Sequence, residues 1–494
     1  MTWLVVLTLA AAPTLEQQAS SLVRERFETS GRSPPVDDAR LGLAARSLAK
    51  LALEQSASDA AGLLAVTGAV SATGGWDASP TAILIKAPPA RLLEELVKLQ
   101  SLASEPAQAL GVGFAEQNQH GAICVLLTQR KFELEPLPRH FKKPPGSLEV
   151  CGALSEPLET AELFVTAPSG AVARLPMTRK PKRGLCGAFR PTEGRNVVEV
   201  LGRGPKGPEV AAIFFVDVGQ AVVTADQHVV EPPTPDDARR EVIARVNGLR
   251  RSMGLVTVTH NFALDAIAQA YAQRMATEGF FAHVDPQGGD LKARLAAAKY
   301  RYTAAGENLG ASTGPLAAHF GIEHSPGHRL NLLEDHHRAI GVGIATRPDD
   351  GLTVLVEVLA APLDDGGADP VGAAYLALDE LRAKKGLKPL KHHPVLEALA
   401  QEHARRCLTR DLLKTDLPDG RKLPQKVFEA LTDAKEASVD LAILEAPSML
   451  PASKNLSNPS YTSVGIGLVR GDSEKYGADK LWLVVIFANQ APEN

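Results

Sequence analysis

Residues 280–343 contain four short motifs in a fixed order: FFAH at 280–283, GEN at 306–308, SPGHR at 325–329 and IGVG at 340–343. Before them, residues 264–272 place apolar side chains at i, i+3, i+4, i+7 and i+8, the spacing of a helix that buries one face. After them, the IGVG strand and the apolar run at 352–359 predict two neighbouring strands. This stretch therefore predicts a helix packed against a sheet.

The order and spacing of these motifs resemble the bacterial branch of the CAP superfamily, the proteins with an SCP domain. The resemblance extends from about residue 247 to residue 359. It implies an α/β/α sandwich with a surface cavity that is lined by a histidine and a glutamate of the motifs. Ile322 and Leu359 stand where the family has a tryptophan and an aromatic residue, so we expect a smaller cavity wall and a different ligand shape.

The same helix-first, strand-last pattern occurs three times in the chain. Residues 41–49, 264–272 and 396–404 share the helical spacing, and residues 110–113, 340–343 and 464–467 share the paired glycines. Residues 247–254 also match residues 379–386, and each of these two segments has a glycine suited to a helix end. We interpret the pattern as three CAP-like units that arose by duplication.

The two flanking units lack the polar motifs of the central unit. In the third unit, the alignment places Thr415 where His283 stands and Ala452 where His328 stands, and it leaves Glu436 as the counterpart of Glu307. The first unit has no histidine between residues 53 and 110. We therefore expect both flanking units to fold without a functional site.

A different pattern fills residues 147–223, where short β-branched and aromatic runs are separated by proline, glycine and basic turns. Such runs are typical of an all-β sandwich, here loosely similar to an immunoglobulin-like (Ig-like) domain. A proline-rich linker at 231–235 and a glycine- and aspartate-rich linker at 364–370 mark further boundaries. The predicted fold class is an α/β multi-domain protein of three CAP-like α/β/α sandwich units and one all-β sandwich. The expected boundaries are 1–12 for a signal peptide, 13–138, 139–226, 236–362 and 371–494.

The candidate site lies in the central unit and combines two imidazoles with a carboxylate. His283 follows two aromatic residues at a helix end, Glu307 follows a glycine, and His328 is the third residue of a short helix that begins after Ser325. The positive end of that helix disfavours a protonated imidazole, which leaves His328 able to bind a metal or accept a proton. The predicted ligand-binding residues are His283, Glu307, His328 and Glu323, and the first three could also hold Zn²⁺ or another divalent metal.

Four further residues are assigned a structural role in the motifs: Asn308, Ser325, Arg329 and Asn331. We expect Ser325 to cap the short helix, and Arg329 and Asn331 to tie that helix to the loop that is expected to carry the GEN segment. An alternative is that the site histidines and Glu307 form a hydrogen-bonded network without a ligand. Four more histidines nearby are expected to be solvated: His319, His324, His336 and His337.

Composition and cysteine usage constrain the cellular setting. A net charge of −4, with basic residues scattered along the chain, gives no reason to expect nucleic acid as a partner. The apolar run at 3–12 is too short to span a membrane and resembles the core of a signal peptide, although the first turn of a buried helix is an alternative. If the protein is exported, to the periplasm or outside the cell, Cys151 and Cys186 could pair. Cys124 and Cys407 are expected to be buried thiols.

The favoured function is that of an exported CAP protein that binds a small ligand or a divalent metal in its central cavity, with the other domains contacting partners. One alternative is a metal- or His/Glu-dependent hydrolase, in which His283 or His328 acts as general base. Another is a structural protein of the cell envelope that contacts an envelope component. The sequence favours a binding protein over an enzyme, because two degenerate copies lie beside an Ig-like module. Covalent catalysis has no support, since Ser325 is better explained as a helix cap than as a nucleophile.

Overall fold

The computed structural model of the protein describes residues 13–103, 106–220, 230–363 and 369–490. The chain divides into two compact units, residues 1–361 and residues 362–494, and each is described separately. The architecture is a mixed α/β multi-domain one with five sheets among the described residues. No helix among these residues is both long and apolar enough to cross a membrane. The predicted signal peptide, residues 1–12, lies outside the described residues.

The first part of the larger unit contains five helices and four strands. They are α1 (Leu15–Thr29), β1 (Val36–Asp37), α2 (Ala39–Glu54), α3 (Ala57–Ala60), α4 (Leu63–Ala72), β2 (Thr81–Ala87), α5 (Leu92–Lys98), β3 (Ala109–Gln117) and β4 (His120–Thr128). The sheet has the order β1-β3-β4-β2, and only the β1–β3 pair is parallel. Helices α2 and α4 cover one face of the sheet, and α1 and α5 cover the other.

The next part consists of strands: β5 (Phe132–Leu134), β6 (His140–Phe141), β7 (Leu148–Leu154), β8 (Thr160–Thr166), β9 (Val172–Pro176), β10 (Thr178–Lys180), β11 (Gly184–Phe189), β12 (Gly194–Gly204) and β13 (Gly207–Val218). They form one sheet of order β10-β11-β7-β5 and another of order β6-β13-β12-β8-β9. One buried apolar cluster contains residues of both sheets, among them Val150 and Val198. Cys151 and Cys186 are paired by a disulfide across β7 and β11. We call residues 132–218 the two-sheet segment.

The last part of the larger unit carries the four motifs. Its elements are α6 (Pro235–Ser252), β14 (Thr259–His260), α7 (Phe262–Glu278), α8 (Leu291–Ala297), β15 (Tyr302–Ser312), α9 (Pro315–His324), α10 (Pro326–Leu332), β16 (Ala339–Thr346) and β17 (Thr353–Pro362). The sheet order is β14-β16-β17-β15. Helix α7 packs on one face of this sheet, and α6, α9 and α10 pack on the other, so three layers result.

The smaller unit repeats this arrangement. It contains α11 (Pro370–Ala383), β18 (Lys391–His392), α12 (Pro394–Thr409), α13 (Leu423–Ala430), β19 (Ala434–Leu444), β20 (Ser463–Ser473) and β21 (Gly477–Gln490). The sheet order is β18-β20-β21-β19, with a parallel β18–β20 pair as its short edge. Helices α12 and α13 cover one face and α11 covers the other.

In all three α/β sheets, a pair of glycines brings the central helix against the sheet. A Cβ atom added at Gly341 would lie well under 3.0 Å from the backbone of Leu264, and one at Gly343 would meet the backbone of Ala268. The glycines of β3 meet α2 in the same way, and those of β20 meet α12. The backbone of the helix therefore occupies the space that a side chain would need, which explains why the glycines recur in each sheet.

Two polar contacts also recur between the last part of the larger unit and the smaller unit. Gln269 exchanges hydrogen bonds with the backbone of Ile344, and Gln401 does the same with Leu468. Buried Arg250 donates to the carbonyls of residues 256, 332, 334 and 337, and buried Arg382 donates to those of residues 388, 456 and 458. Matching contacts at matching positions are what a duplication would produce.

Candidate functional site

His283 and Glu307 meet at the centre of the candidate site. His283 lies in the loop after α7. Glu307 lies within strand β15, and the prediction that it lies in a loop is wrong. His283 Nδ1 is 2.9 Å from Glu307 Oε1, and Arg294 of α8 forms an ion pair of 2.5 Å with Glu307 Oε2. Since a carboxylate that pairs with a guanidinium can only accept hydrogen bonds, the Nδ1–H of His283 is the donor.

Tyr271 of α7 contacts both Arg294 and the backbone beside His283. The guanidinium of Arg294 stacks on the ring of Tyr271, 3.4 Å from the ring centroid. The Tyr271 hydroxyl donates to the carbonyl of Ala282, the residue before His283, at 2.6 Å. Arg294 also donates to the carbonyl of His283 itself. Helix α7 and helix α8 therefore fix both the backbone and the ring of His283.

His328 lies on α10 with its Nδ1 2.8 Å from the hydroxyl oxygen of Ser325. That hydroxyl donates to Glu199 Oε2 at 2.6 Å, and the backbone N–H of Gly327 donates to Glu199 Oε1 at 2.9 Å. Glu199 belongs to β12 of the two-sheet segment, and its side chain is fully buried. Ser325 is the N-cap residue of α10, as the sequence predicted, although its side chain makes no capping hydrogen bond.

Burial shifts the pKa values of these two groups in opposite directions. Burial and, to a smaller extent, the neighbouring His283 lower the pKa of His328 to about 3, so its ring is neutral at physiological pH. Burial raises the pKa of Glu199 to about 7, although the hydrogen bonds from Ser325 and Gly327 oppose the shift.

Three of the four predicted ligand-binding residues open onto a cavity of about 2120 Å³. His283, Glu307 and His328 line it in the motif-bearing part, and Glu199 and Leu201 line it in the two-sheet segment. Residues of the first part of the unit, such as Leu48, Leu51 and Leu63, contribute apolar wall. All three parts of residues 1–361 therefore border the same space.

Beneath the cavity lies a buried polar network that the sequence did not reveal. His319 Nδ1 is 2.6 Å from Glu357 Oε1, and the amide of Asn308 donates to Glu357 Oε2 and to the carbonyl of His328. Asn331 donates to the side-chain oxygen of Asn308 at 3.0 Å, so Asn331 ties α10 to the GEN segment as expected. His319 is 1% exposed and His337 is 2% exposed, and the expectation that they are solvated is wrong.

Glu323 and Arg329 do not make the contacts that the sequence predicts for them. Glu323 approaches Arg329 at 3.7 Å and His319 at 3.9 Å, and it is not part of the cavity wall. Arg329 donates to the carbonyl of Gly170 in the two-sheet segment, not to the GEN segment. The side chain of Arg329 therefore joins α10 to the neighbouring segment.

The donor set fits a divalent metal poorly. Zinc requires ligand atoms about 2 Å from the ion, which brings them within a few ångströms of one another. Among the described residues, the clusters that meet a mutual limit of 4.8 Å are Glu149–Cys151–Cys186 and Glu334–Asp335–His336, and neither includes His283, Glu307 or His328. The guanidinium of Arg294 also places a positive charge on Glu307, where a cation would have to bind.

The smaller unit retains a hydrogen bond equivalent to that of Tyr271, but it has no histidine at the position of His283. His403 of α12 is buried, and its Nε2 lies 2.8 Å from the carbonyl of Lys414, as the Tyr271 hydroxyl lies near the carbonyl of Ala282. In this register Thr415 occupies the position of His283. His403 is therefore packed into the fold.

Three residues that contact the site could not be identified from the sequence: Glu199, Arg294 and Tyr271. Tyr271 occupies a buried position of the α7 pattern, and Arg294 is one of two basic residues on α8, so neither stands out in the chain. Glu199 interrupts the apolar run VVEVL at 197–201. A carboxylate at an inward position of a strand is the signal that could have identified it, because a buried charge requires partners.

The sequence matches the profile of the CAP family, described as the cysteine-rich secretory protein family, at residues 243–358 and 375–487. The first match contains His283, Glu307 and His328, and the second covers most of the smaller unit. The chain also matches the uncharacterized membrane protein YlbC of Bacillus subtilis (strain 168), with 28% identity over 109 residues. That match covers 22% of this chain and 31% of the relative, so the chain spans about a third of the relative's length.

Two solved structures share similarity with parts of the chain. One is an extracellular protein containing a SCP domain from Bacillus anthracis str. Ames, with 17% identity, a TM-score of 0.24, and coverage of 46% of this chain and 88% of that protein. The other is a cysteine-rich secretory protein from Staphylococcus aureus subsp. aureus Mu50, with 14% identity, a TM-score of 0.21, and coverage of 43% and 75%.

Proposed function

The chain carries two CAP domains, at residues 243–358 and 375–487, and we propose that the first domain binds a small amphipathic molecule in the cavity beside His283, Glu307 and His328. The cavity carries this proposal. Its volume of about 2120 Å³ exceeds the several hundred cubic ångströms of a usual ligand pocket, so it has room for an organic molecule. The molecule's polar end would face the histidines, and its apolar part would lie along Leu48, Leu51 and Leu63.

The charges of the site favour an organic ligand over a resident ion. Glu307 is already neutralised by Arg294 and accepts from His283. An ion would have to displace Arg294 and draw His328 closer. A neutral molecule can instead use the outward nitrogens of His283 and His328 without disturbing either contact. Zn²⁺ binding at these residues is therefore an outcome of the test below, not the favoured function.

The rest of the chain is proposed to support binding outside the cytoplasm. The three-layer part at residues 15–128 would be a diverged CAP copy, and the two-sheet segment would be an Ig-like sandwich. Export to the periplasm or the cell exterior fits the Cys151–Cys186 disulfide, since such bonds persist in oxidising compartments. It also agrees with the description of the matching family as the cysteine-rich secretory protein family.

The test is a thermal-shift titration of the full chain with decanol, decanoate and Zn²⁺. We expect an amphiphile to raise the unfolding temperature, because a ligand that binds only the folded state stabilises it. His283→Ala and His328→Ala should weaken that effect at least tenfold in concentration. His336→Ala, at an exposed histidine of the same domain, should leave it unchanged.

Equal shifts in the wild type and both cavity variants would refute the site. A shift by Zn²⁺ alone that is lost in His283→Ala and His328→Ala would favour the metal interpretation. Circular dichroism of each variant establishes that it is folded.

A further inference from the structure

Glu199 is a fully buried carboxylate with an unusual set of partners. It belongs to β12 of the two-sheet segment, which lies outside the residues that match the CAP profile. Its two oxygens accept from the Ser325 hydroxyl and from the Gly327 N–H. Among the described residues it forms no ion pair with a basic side chain. A buried charge is costly, so two hydrogen bonds from one short helix call for an explanation beyond packing.

The protons in this chain of hydrogen bonds can be counted. Ser325 has one hydroxyl hydrogen, and its oxygen is 2.6 Å from Glu199 Oε2 and 2.8 Å from His328 Nδ1. When Glu199 is ionised it can only accept, so the hydroxyl hydrogen of Ser325 points to Glu199. The Ser325 oxygen must then accept from His328, and the hydrogen of the neutral imidazole resides on Nδ1. His328 Nε2 is left with a free lone pair.

We propose that Glu199 is a positioning residue that fixes the tautomer of His328 through Ser325, so that His328 offers an unprotonated Nε2 to the cavity. The use of this nitrogen rests on the proposed binding function, but the tautomer does not. Glu307 acts on His283 in the same way, because it accepts from Nδ1–H. Both histidines would then present acceptor nitrogens, one set by a carboxylate of the CAP domain and the other by a carboxylate of the two-sheet segment.

The arrangement is not that of a nucleophilic triad. In such a triad the histidine lies between the acid and the serine and takes the hydroxyl proton. Here the serine lies between the acid and the histidine, and its proton is held by Glu199. Ser325 is also only 9% exposed. Ser325 is thus a relay in a hydrogen-bond chain, consistent with a binding site.

The low pKa of His328 supports this picture. Because burial keeps the ring neutral, the position of its single proton is the variable that Glu199 can control. The carboxyl of Glu199 has a pKa near 7, so the tautomer should be examined at pH 8, where the carboxylate is the main form.

The test is a long-range ¹H–¹⁵N correlation spectrum of the full chain with ¹⁵N-labelled histidine at pH 8. His328→Asn identifies the His328 signals. In the wild type we expect the Nδ1–H pattern, with a pyridine-type Nε2. In Glu199→Gln the amide oxygen can still accept from Gly327, while the amide N–H₂ donates to Ser325. The Ser325 hydroxyl then donates to His328 Nδ1, and the dominant tautomer changes to Nε2–H.

Glu162→Gln is the matched control, because Glu162 lies on the neighbouring strand β8 and pairs with Arg174 and Arg203 near the surface. It should leave the tautomer unchanged. If Glu199→Gln fails to fold, Ser325→Ala removes the relay and should shift the population away from Nδ1–H. An Nε2–H pattern in the wild type, or an unchanged pattern in the folded Glu199→Gln or Ser325→Ala variant, would overturn the proposal.

The two proposals fail in different ways. A tautomer that changes as expected in a protein that binds neither amphiphile would leave the role of Glu199 standing and refute the binding function. If an amphiphile does bind, Glu199→Gln should lower its affinity about tenfold or more, because a displaced second-layer partner typically costs that much.

Discussion

Arg250 connects separate segments of the motif-bearing domain through hydrogen bonds to their backbone carbonyls. Its guanidinium is fully buried and donates to backbone carbonyls of the loop after α6 and of the segment after α10. Arg382 has the same role in the smaller unit. In the first part of the chain, α1 has the apolar Phe27 before its terminal Gly31, where α6 has Arg250 before Gly254. A buried arginine with these contacts thus occurs in the two segments that match the CAP profile, whereas an apolar residue stands at this position in the first part of the chain.

We expect Arg250→Ala to lower the free energy of unfolding of its domain by about 3 kcal/mol or more, because several buried carbonyls lose their donor. Arg251→Ala, at the exposed neighbouring position, should change it by less than about 0.5 kcal/mol. Urea-dependent hydrogen–deuterium exchange of peptides from α6 and α10 measures both. Equal protection in the two variants would show that the carbonyl contacts contribute little.

Glu199 should make the stability of the larger unit depend on pH. Because burial raises its pKa to about 7, the folded state binds the proton more tightly than the unfolded chain does, whose carboxyl titrates near ~4.3. The contribution of Glu199 is therefore fully present below about pH 4.3 and decreases as the pH rises through about 7, by about 4 kcal/mol at most. The stability of wild type relative to Glu199→Gln should fall between pH 5 and pH 8. A constant difference over this range would contradict the shift.

At the scale of elements, the glycine pairs decide how closely helix and sheet approach. Gly341→Ala should destabilise the domain by about 3 kcal/mol or more, because the new methyl group would overlap the backbone of Leu264. Gly248→Ala provides a control of opposite sign. Gly248 lies inside α6 with open space around it, so alanine should stabilise the helix by about 0.5–1 kcal/mol. Thermal unfolding followed by circular dichroism separates the two, and destabilisation by both would discredit the packing argument.

The elements that could be predicted from the sequence were those with a strong local signal. Apolar spacing identified α2, α7 and α12, and the glycine pairs identified β3, β16 and β20. Strand β15 could not be predicted, because its side chains show no alternation of buried and exposed positions. For the same reason the sequence predicts a loop at Glu307. Glu199 and Gly170 could not be connected with α10, since these contacts join segments more than a hundred residues apart and leave no periodic trace.

At the scale of the whole molecule, the cysteines report on the compartment. We expect unfolded, unreduced protein to react with iodoacetamide at Cys124 and Cys407, which are buried free thiols in the folded chain. Prior reduction should expose Cys151 and Cys186 as well, and it should destabilise the two-sheet segment by about 3 kcal/mol. Mass spectrometry counts the labels on protein made with and without an export signal. Four labels without reduction in exported protein would rule out the disulfide.

The last prediction concerns which parts of the chain fold together. The motif-bearing CAP domain, residues 236–362, is bounded by linkers and has three complete layers of its own. It also uses the two-sheet segment: Glu199 contacts Ser325 and Gly327, and Arg329 bonds to Gly170. Residues 362–494 form a separate compact unit. We therefore expect a 362–494 fragment to fold on its own.

A 236–362 fragment, in contrast, should fold but be less stable than the same domain within residues 13–362, by about 2 kcal/mol or more. It would lose the partner of Ser325 and leave Arg329 without the Gly170 carbonyl. Chemical denaturation of the three fragments provides the comparison. If the 236–362 fragment were as stable as the domain within the larger fragment, the two-sheet segment would be an independent neighbour. A fragment that did not fold at all would make that segment part of the CAP core.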